Sequence, residues 1–275
     1  MHLLELSILL LLPTVHSFVQ RTAPKNPFRS SLSIGTSVDD TMYQKVKGVI
    51  FDIDGTLADS WKLGYDATVV VLDNNKIPSI TAEIYHECTR YATPERLARH
   101  AGLTPGDPEF EERGQALGKE FDDLYVGLVS LETAAFYPGV ESLLLNLPPG
   151  VALGALTNAA VKYAHAVLEC NCPATMSSNQ RPAIYSRFGS VRGADNVPKP
   201  KPSPDGLLQV CKDLGLNPSE CVYIGDSPTD GAAAHAAGMP SVGVLWGSHK
   251  EESLRSAPFT HICETVDELA SLLPQ

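Results

Sequence analysis

Basic residues are scarce in most of this chain, and that scarcity excludes several functions. The 275 residues carry 21 Lys and Arg against 32 Asp and Glu. Three of the bases, Arg21, Lys25 and Arg29, lie in residues 1–38, opposed there only by Glu5. Residues 39–275 therefore hold 18 bases and 31 acids, a net charge of −13. Sequence-independent binding to nucleic acid or to an anionic membrane needs basic surface, so neither is expected as a partner. Cysteine is also sparse. Cys88, Cys170, Cys172, Cys211, Cys221 and Cys263 form no CxxC pair and no zinc-finger spacing, so reduced, buried thiols are the expected state. The close pair Cys170 and Cys172 leaves a redox role open. No internal repeat is visible, which argues against a solenoid or propeller. No apolar run reaches the roughly 20 residues of a membrane span.

The first 40 residues read as an address rather than as fold. Leu3 to Leu12 is apolar apart from Glu5 and Ser7, and Val15-His16-Ser17 supplies a compact cleavage site. Phe18 to Val38 then contains no acid and is rich in Arg, Lys, Ser, Thr and Pro. A signal-like run followed by a transit-like stretch resembles the bipartite plastid presequences of algae with complex plastids, in which Phe commonly follows the first cut, as Phe18 does here. A plastid location is the expectation. A secretory signal with a disordered tail is the alternative.

From residue 46 the pattern alternates. Short β-branched or apolar runs at 46–51, 151–157, 221–224, 241–245 and 259–263 read as strands, with a weaker candidate at 186–191. Tyr137-Pro138-Gly139 opens a helix, helical spacing fills 159–169, 203–214, 229–237 and 265–273, and 171–183 reads as a polar loop. Such alternation predicts an α/β fold: a Rossmann-like, doubly wound parallel sheet with helices on both faces. Residues 60–135 read as helical throughout and interrupt the alternation after one strand. The expected organisation is thus a targeting presequence over 1–40, a core over 41–59 and 137–275, and a small helical cap inserted over 60–136.

Polar residues stand where three of the strands end, the usual ligand side of such a sheet. Asp52-Ile53-Asp54-Gly55-Thr56 follows the first. Side chains alternate along a strand, so Asp52 and Asp54 share a face, and two carboxylates that close need a cation or a proton between them. Gly55 permits a tight turn whose backbone N–H groups can approach an anion. A solvated turn would use the same residues. An EF-hand would not, because its sixth and twelfth positions would be Leu57 and Leu63. Thr157-Asn158 follows the second strand and offers a hydroxyl and an amide. Lys199-Pro200-Lys201-Pro202-Ser203-Pro204-Asp205 presents lysines on a proline-stiffened segment. Gly225-Asp226-Ser227-Pro228-Thr229-Asp230 closes the fourth motif, with Asp226 placed for a metal and Asp230 either supporting it or charging a helix start.

These four motifs, in this order, resemble those of the haloacid dehalogenase superfamily over about residues 46–273. The run Phe51 to Ser60 is similar to the phosphoglycolate phosphatase-like branch, as are Gly238-Met239 and Gly243 to Gly247. The resemblance implies a magnesium-dependent phosphoric monoester hydrolase acting on a small phosphorylated metabolite. It implies Asp52 as the nucleophile that becomes an aspartyl-phosphate and Asp54 as the acid and base. Mg2+ would be held by Asp52, Asp54 (through its backbone carbonyl) and Asp226. Gly55, Thr157, Asn158 and Lys201 would bind phosphate, and Asp230 would support the metal or orient Lys201. Lys201, not Lys199, fits the Lys-Pro-x-Pro-Asp spacing. The presence of Asp54 tells against a dehalogenase or a phosphonate hydrolase. 2-Phosphoglycolate is the expected substrate. A sugar phosphomutase, a sugar or nucleotide phosphatase, and a catalytically silent binding module are the alternatives.

Overall fold

In the computed structural model, residues 40–172 and 184–275 are described. The presequence through residue 39 and residues 173–183 of the polar loop lie outside the described residues. Six parallel strands form one sheet: β1 (Gly48–Phe51), β2 (Ala152–Leu156), β3 (Phe188–Arg192), β4 (Cys221–Gly225), β5 (Ser241–Val244) and β6 (His261–Cys263). Their order is β3-β2-β1-β4-β5-β6. This is the doubly wound order, and the chain reverses direction across the sheet between β1 and β4. A ligand crevice belongs at the carboxyl ends of those two strands.

Alternation along each strand divides the interior in two. Val49 and Phe51 of β1, with Val222 and Ile224 of β4, join the larger core, which includes Tyr163 and Leu168 of α6 (Val161–Asn171) and Leu269 of α10 (Val266–Leu272). Ile50, Cys221 and Tyr223 point the other way. They meet Leu207 and Val210 of α7 (Asp205–Leu214) and Ala233 and Ala234 of α8 (Pro228–Ala237). All four β1 residues are buried, which is why the strand reads as a continuous apolar run rather than an alternating one.

Four helices lie between β1 and α5 (Val140–Asn146): α1 (Trp61–Asn74), α2 (Ala82–Cys88), α3 (Thr93–His100) and α4 (Phe110–Gly127). The two segments that lead into and out of them run side by side. Asp59 N–H donates to the Ala135 carbonyl (2.9 Å), and Tyr137 N–H donates to the Leu57 carbonyl (2.9 Å).

Several element ends differ from those the sequence predicts. Helix α4 stops at Gly127, and 128–135 forms a turn in which Thr133 Oγ1 donates to the Leu128 carbonyl. Helix α7 begins at Asp205 rather than Ser203, because Pro202 and Pro204 withhold N–H groups and restrict the residues before them. A short acidic helix, α9 (Glu251–Ser256), has too few apolar residues to reveal a period. No helix among the described residues is long and apolar enough to cross a membrane.

Candidate active site

The turn after β1 is built around one carbonyl. Ile53 C=O accepts from the N–H groups of Thr56, Leu57 and Ala58, and Gly55 N–H donates to the Ala58 carbonyl. Gly55 sits at φ 78°, and a Cβ there would collide with the Asp226 carboxylate. Glycine is thus required twice over, for the left-handed backbone and for the close approach. Gly247 faces the same carboxylate from the other side, and a Cβ there would also strike it.

Four segments converge on this turn. Asp52 and Lys201 are each 5% exposed, Thr157 and Asp226 1%, and Asp230 is fully buried. Lys201 Nζ lies 2.8 Å from Asp52 Oδ1 and 2.6 Å from Asp230 Oδ1. It also donates to the Tyr223 hydroxyl (2.9 Å) and reaches the Leu156 carbonyl (3.3 Å). Burial works against a charged lysine, but Asp230 and Asp52 outweigh it, and the ammonium is held above its usual pKa.

Asp230 is placed by the start of α8. Ser227 is the N-cap, Pro228 follows it, and Ser227 N–H donates to Asp230 Oδ2 (2.9 Å) in a capping box. Its other oxygen is thereby aimed at Lys201. Of the two roles expected for Asp230, this geometry fits orientation of the lysine. Asn158 clasps the Lys201 backbone: its Oδ1 accepts from Lys201 N–H (3.0 Å) and its Nδ2 donates to the Lys201 carbonyl (3.0 Å). The Asn158 side chain therefore seats Lys201 as well as lining the cavity. Lys199 is exposed, whereas Lys201 is buried among these groups.

Asp54 has a separate set of partners, all hydroxyls. Its Oδ1 accepts from Ser60 (2.6 Å), Tyr163 (2.7 Å) and Tyr125 (3.1 Å), and its Oδ2 accepts from Thr157 (3.1 Å). The two tyrosine rings stack with centroids 4.0 Å apart. Burial, reinforced by the charge of Asp54, holds both phenols well above their usual pKa, so both remain protonated. Tyr163 comes from α6, whereas Tyr125 comes from α4 of the inserted helices. One carboxylate thus touches both sides of the cavity.

The motifs do not reveal Tyr125, Tyr163, Tyr223, Ser248 or His249. The aromatics sit at positions that read as core packing. Ser60 alone stood within a motif already singled out.

The donor set fits a hard divalent cation. Carboxylate oxygens of Asp52, Asp226 and Asp230 all lie within 4.8 Å of one another. Asp230 is committed to Lys201 and Ser227, which leaves Asp52 and Asp226. Asp226 Oδ2 accepts from Ser248 N–H (2.8 Å) and Ser248 Oγ (3.3 Å), and His249 Nδ1 lies 3.5 Å from it. Neither Asp226 Oδ1 nor Asp52 Oδ2 has a hydrogen-bond donor among the described residues. Burial pushes the Asp52 carboxyl well up; Lys201 opposes this, and Asp230, Asp226 and Asp54 add to it. An oxygen-lined site with two open carboxylate oxygens suits Mg2+ or a similar ion.

Above these groups is a cavity of about 100 Å³. Asp52, Asp54, Thr157, Lys201 and Asp226 line it from the sheet side, and Trp61, Tyr85, Arg96 and Tyr125 from the inserted helices.

A cluster of buried carboxylates around a buried lysine at a sheet switch point fits a hydrolase-type site of the doubly wound class. Residues 49–244 match the haloacid dehalogenase-like hydrolase family model, and the chain belongs to that family. It is 32% identical over 249 residues to a phosphoglycolate phosphatase of Shigella dysenteriae serotype 1, covering 84% of this chain and 94% of that one. Against the phosphoglycolate phosphatase of Escherichia coli strain K12 it is 30% identical over 248 residues, with the same coverage of 84% and 94%. Among solved structures, a hydrolase from Pseudomonas syringae matches with a TM-score of 0.64 at 25% identity, covering 82% of this chain and 97% of that one. CbbY from Rhodobacter sphaeroides, solved in complex with phosphate, matches with a TM-score of 0.62 at 23% identity, over 82% and 96% of the two chains. That last likeness shows the fold alone.

Proposed function

We propose that this protein is a magnesium-dependent phosphatase that cleaves small phosphate monoesters through an aspartyl-phosphate on Asp52, with 2-phosphoglycolate as its substrate. The observation that carries this reading is the Asp52 carboxylate itself. One oxygen is pinned by Lys201, and the other has no hydrogen-bond donor among the described residues, on the floor of a small cavity.

One oxygen of the Asp52 carboxylate attacks phosphorus, and the bond from phosphorus to the ester oxygen breaks. Asp54 gives its proton to the departing oxygen. It then takes a proton from a water that attacks phosphorus, which frees Asp52 and inorganic phosphate. The hydroxyls around Asp54 can accept as well as donate, so the carboxyl is accommodated in either protonation state. The Thr157 hydroxyl faces the phosphoryl oxygens. Lys201 neutralises charge on the phosphoryl group and on Asp52, while Asp230 and Asn158 hold the lysine in place. Asp52, Asp226 and the Asp54 carbonyl would hold Mg2+, which supplies positive charge to the phosphoryl oxygens.

Residues 60–136 serve as the cap that selects the substrate. The cavity of about 100 Å³ is well below the 300–1,000 Å³ common for ligand sites, which favours a two-carbon ester over a hexose phosphate. The same relation to curated phosphoglycolate phosphatases supports this choice. The net charge of −13 over residues 39–275 supports a small anion held locally, without nucleic acid or membrane as a partner. In a panel of phosphate esters with Mg2+, 2-phosphoglycolate ranks first by kcat/KM and a chelator abolishes turnover until Mg2+ is restored. A sugar phosphate ranking far above it would overturn the choice of substrate.

The plastid address over residues 1–40 rests on the apolar run and the acid-free stretch from 6 to 38. A fluorescent fusion carrying residues 1–45 enters the plastid; export to the medium would refute that.

A further inference from the structure

Arg96 is a buried cation with no counter-charge of its own. It lies on α3, only 6% exposed. Its Nη1 donates to Thr68 Oγ1 (2.7 Å), a neutral partner. The guanidinium stacks over the Phe121 ring at 4.4 Å and the Tyr85 ring at 5.3 Å. Among the described residues no carboxylate forms an ion pair with it, although such pairs occur at Arg99, Arg192, Lys201 and Arg255. A buried charge left unpaired costs several kcal/mol, and arginine is normally buried with an acid beside it.

The charges around Arg96 do not make up the deficit. Asp122, on α4, feels Arg96 from a distance, yet burial dominates and pushes its carboxyl up to about 7. A carboxylate in contact with a guanidinium would be held low. His100, one turn further along α3, is driven down to about 3 by burial and by Arg96, so it is neutral. Apart from Nη1, the guanidinium N–H groups have no protein acceptor among the described residues. They are not sealed away either, because no Arg96 nitrogen is among the fully enclosed unpartnered atoms. Arg96 lines the same cavity as Asp52 and Lys201.

We propose that Arg96 is the specificity-determining residue of this site, binding the carboxylate of a short phosphorylated hydroxy acid while Asp52, Thr157 and Lys201 take the phosphoryl group. This rests on the phosphatase reading and names the feature by which the substrate is chosen. A guanidinium presents parallel N–H groups that match the two oxygens of a carboxylate. The aromatic faces of Phe121 and Tyr85 hold the fork in place. A neutral end group would leave the charge unpaired, which gives discrimination by penalty as well as by attraction.

The test compares wild type, Arg96→Met and Arg96→Lys on two esters of similar size, 2-phosphoglycolate and uncharged 2-hydroxyethyl phosphate. Wild type prefers the acid by about 10²-fold in kcat/KM. In Arg96→Met that preference falls to about tenfold or less, through a loss of kcat/KM on 2-phosphoglycolate and a relief of the penalty on 2-hydroxyethyl phosphate. Arg96→Lys restores part of the preference. A folded Arg96→Met protein that keeps the full preference would overturn the assignment to Arg96 and leave the phosphatase reading intact. A wild type that turns over both esters equally would overturn carboxylate recognition. A wild type that turns over no ester would instead overturn the reading beneath it.

Calorimetry on wild type alone covers the case in which Arg96→Met does not fold. 3-Phosphonopropionate binds about tenfold or more tightly than propylphosphonate, and equal affinities would refute the proposal.

Discussion

Replacing Asp52 with Asn lowers kcat by about 10⁴-fold or more while the protein stays folded and keeps its secondary structure. The amide matches the carboxylate in size, so the buried turn after β1 is not disturbed. It has no lone-pair charge with which to attack phosphorus, and no acyl phosphate can form. Lys201 retains Asp230 at 2.6 Å, so the lysine is not stranded by the change. The loss is therefore chemical rather than structural. Steady-state kinetics with thermal unfolding of the same sample separates the two. Turnover within tenfold of wild type would remove Asp52 from the role of nucleophile.

Lys201→Met gives the second largest effect, and it appears in stability as well as in rate. Lys201 is the only base paired with Asp52 and Asp230 among the described residues, and all three side chains are at most 7% exposed. Breaking a buried pair on one side leaves uncompensated charge, at a cost of about 3–5 kcal/mol. For a chain of this size that corresponds to a fall in Tm of about 6–20 °C at neutral pH. The lost ammonium also leaves charge on the transferring phosphoryl group without a partner, for a fall in kcat of about 10²–10³-fold. Asp230 takes its charge from the folded arrangement rather than from substrate. Adding Asp230→Asn to Lys201→Met therefore recovers part of the Tm and none of the rate. Differential scanning calorimetry of the single and double variants, beside their kcat values, checks both parts.

What the sequence disclosed follows from how short-range its signals are. Strands β1, β2, β4 and β5 are buried on both faces, so each appears as an apolar run. Three of the four site motifs directly follow such a run, and the Lys201 motif does not. Asp52, Thr157 and Asp226 could be found because a strand end fixes where the next polar side chain points. The order of the strands depends on which helix crosses which face, and no local pattern carries that. The environment of Asp54 was hidden for a related reason. Tyr125 and Tyr163 are 71 and 109 positions away, and an aromatic residue at helical spacing looks like packing until its hydroxyl is placed. Arg96 was hidden because a charged residue on a short helix reads as solvated, and only the fold shows that it is enclosed. Tyr223 shows the same limit within a strand. Its ring belongs to the smaller core, while its hydroxyl meets Lys201 and Asp230.

The inserted helices matter to the chemistry as well as to selection. Tyr125 carries a contact from α4 to Asp54, and Tyr85 and Arg96 close the cavity from the same side. Movement of these helices would change the hydrogen bonding of the acid–base residue and the size of the cavity together.

A rapid acid quench of the protein with a substrate labelled in its phosphoryl group, followed by peptide mapping, bears most directly on how phosphate is transferred. The label is expected on the peptide containing Asp52, within milliseconds of mixing and ahead of free phosphate. Release of phosphate at the full rate with no peptide ever labelled would mean that water attacks the substrate directly.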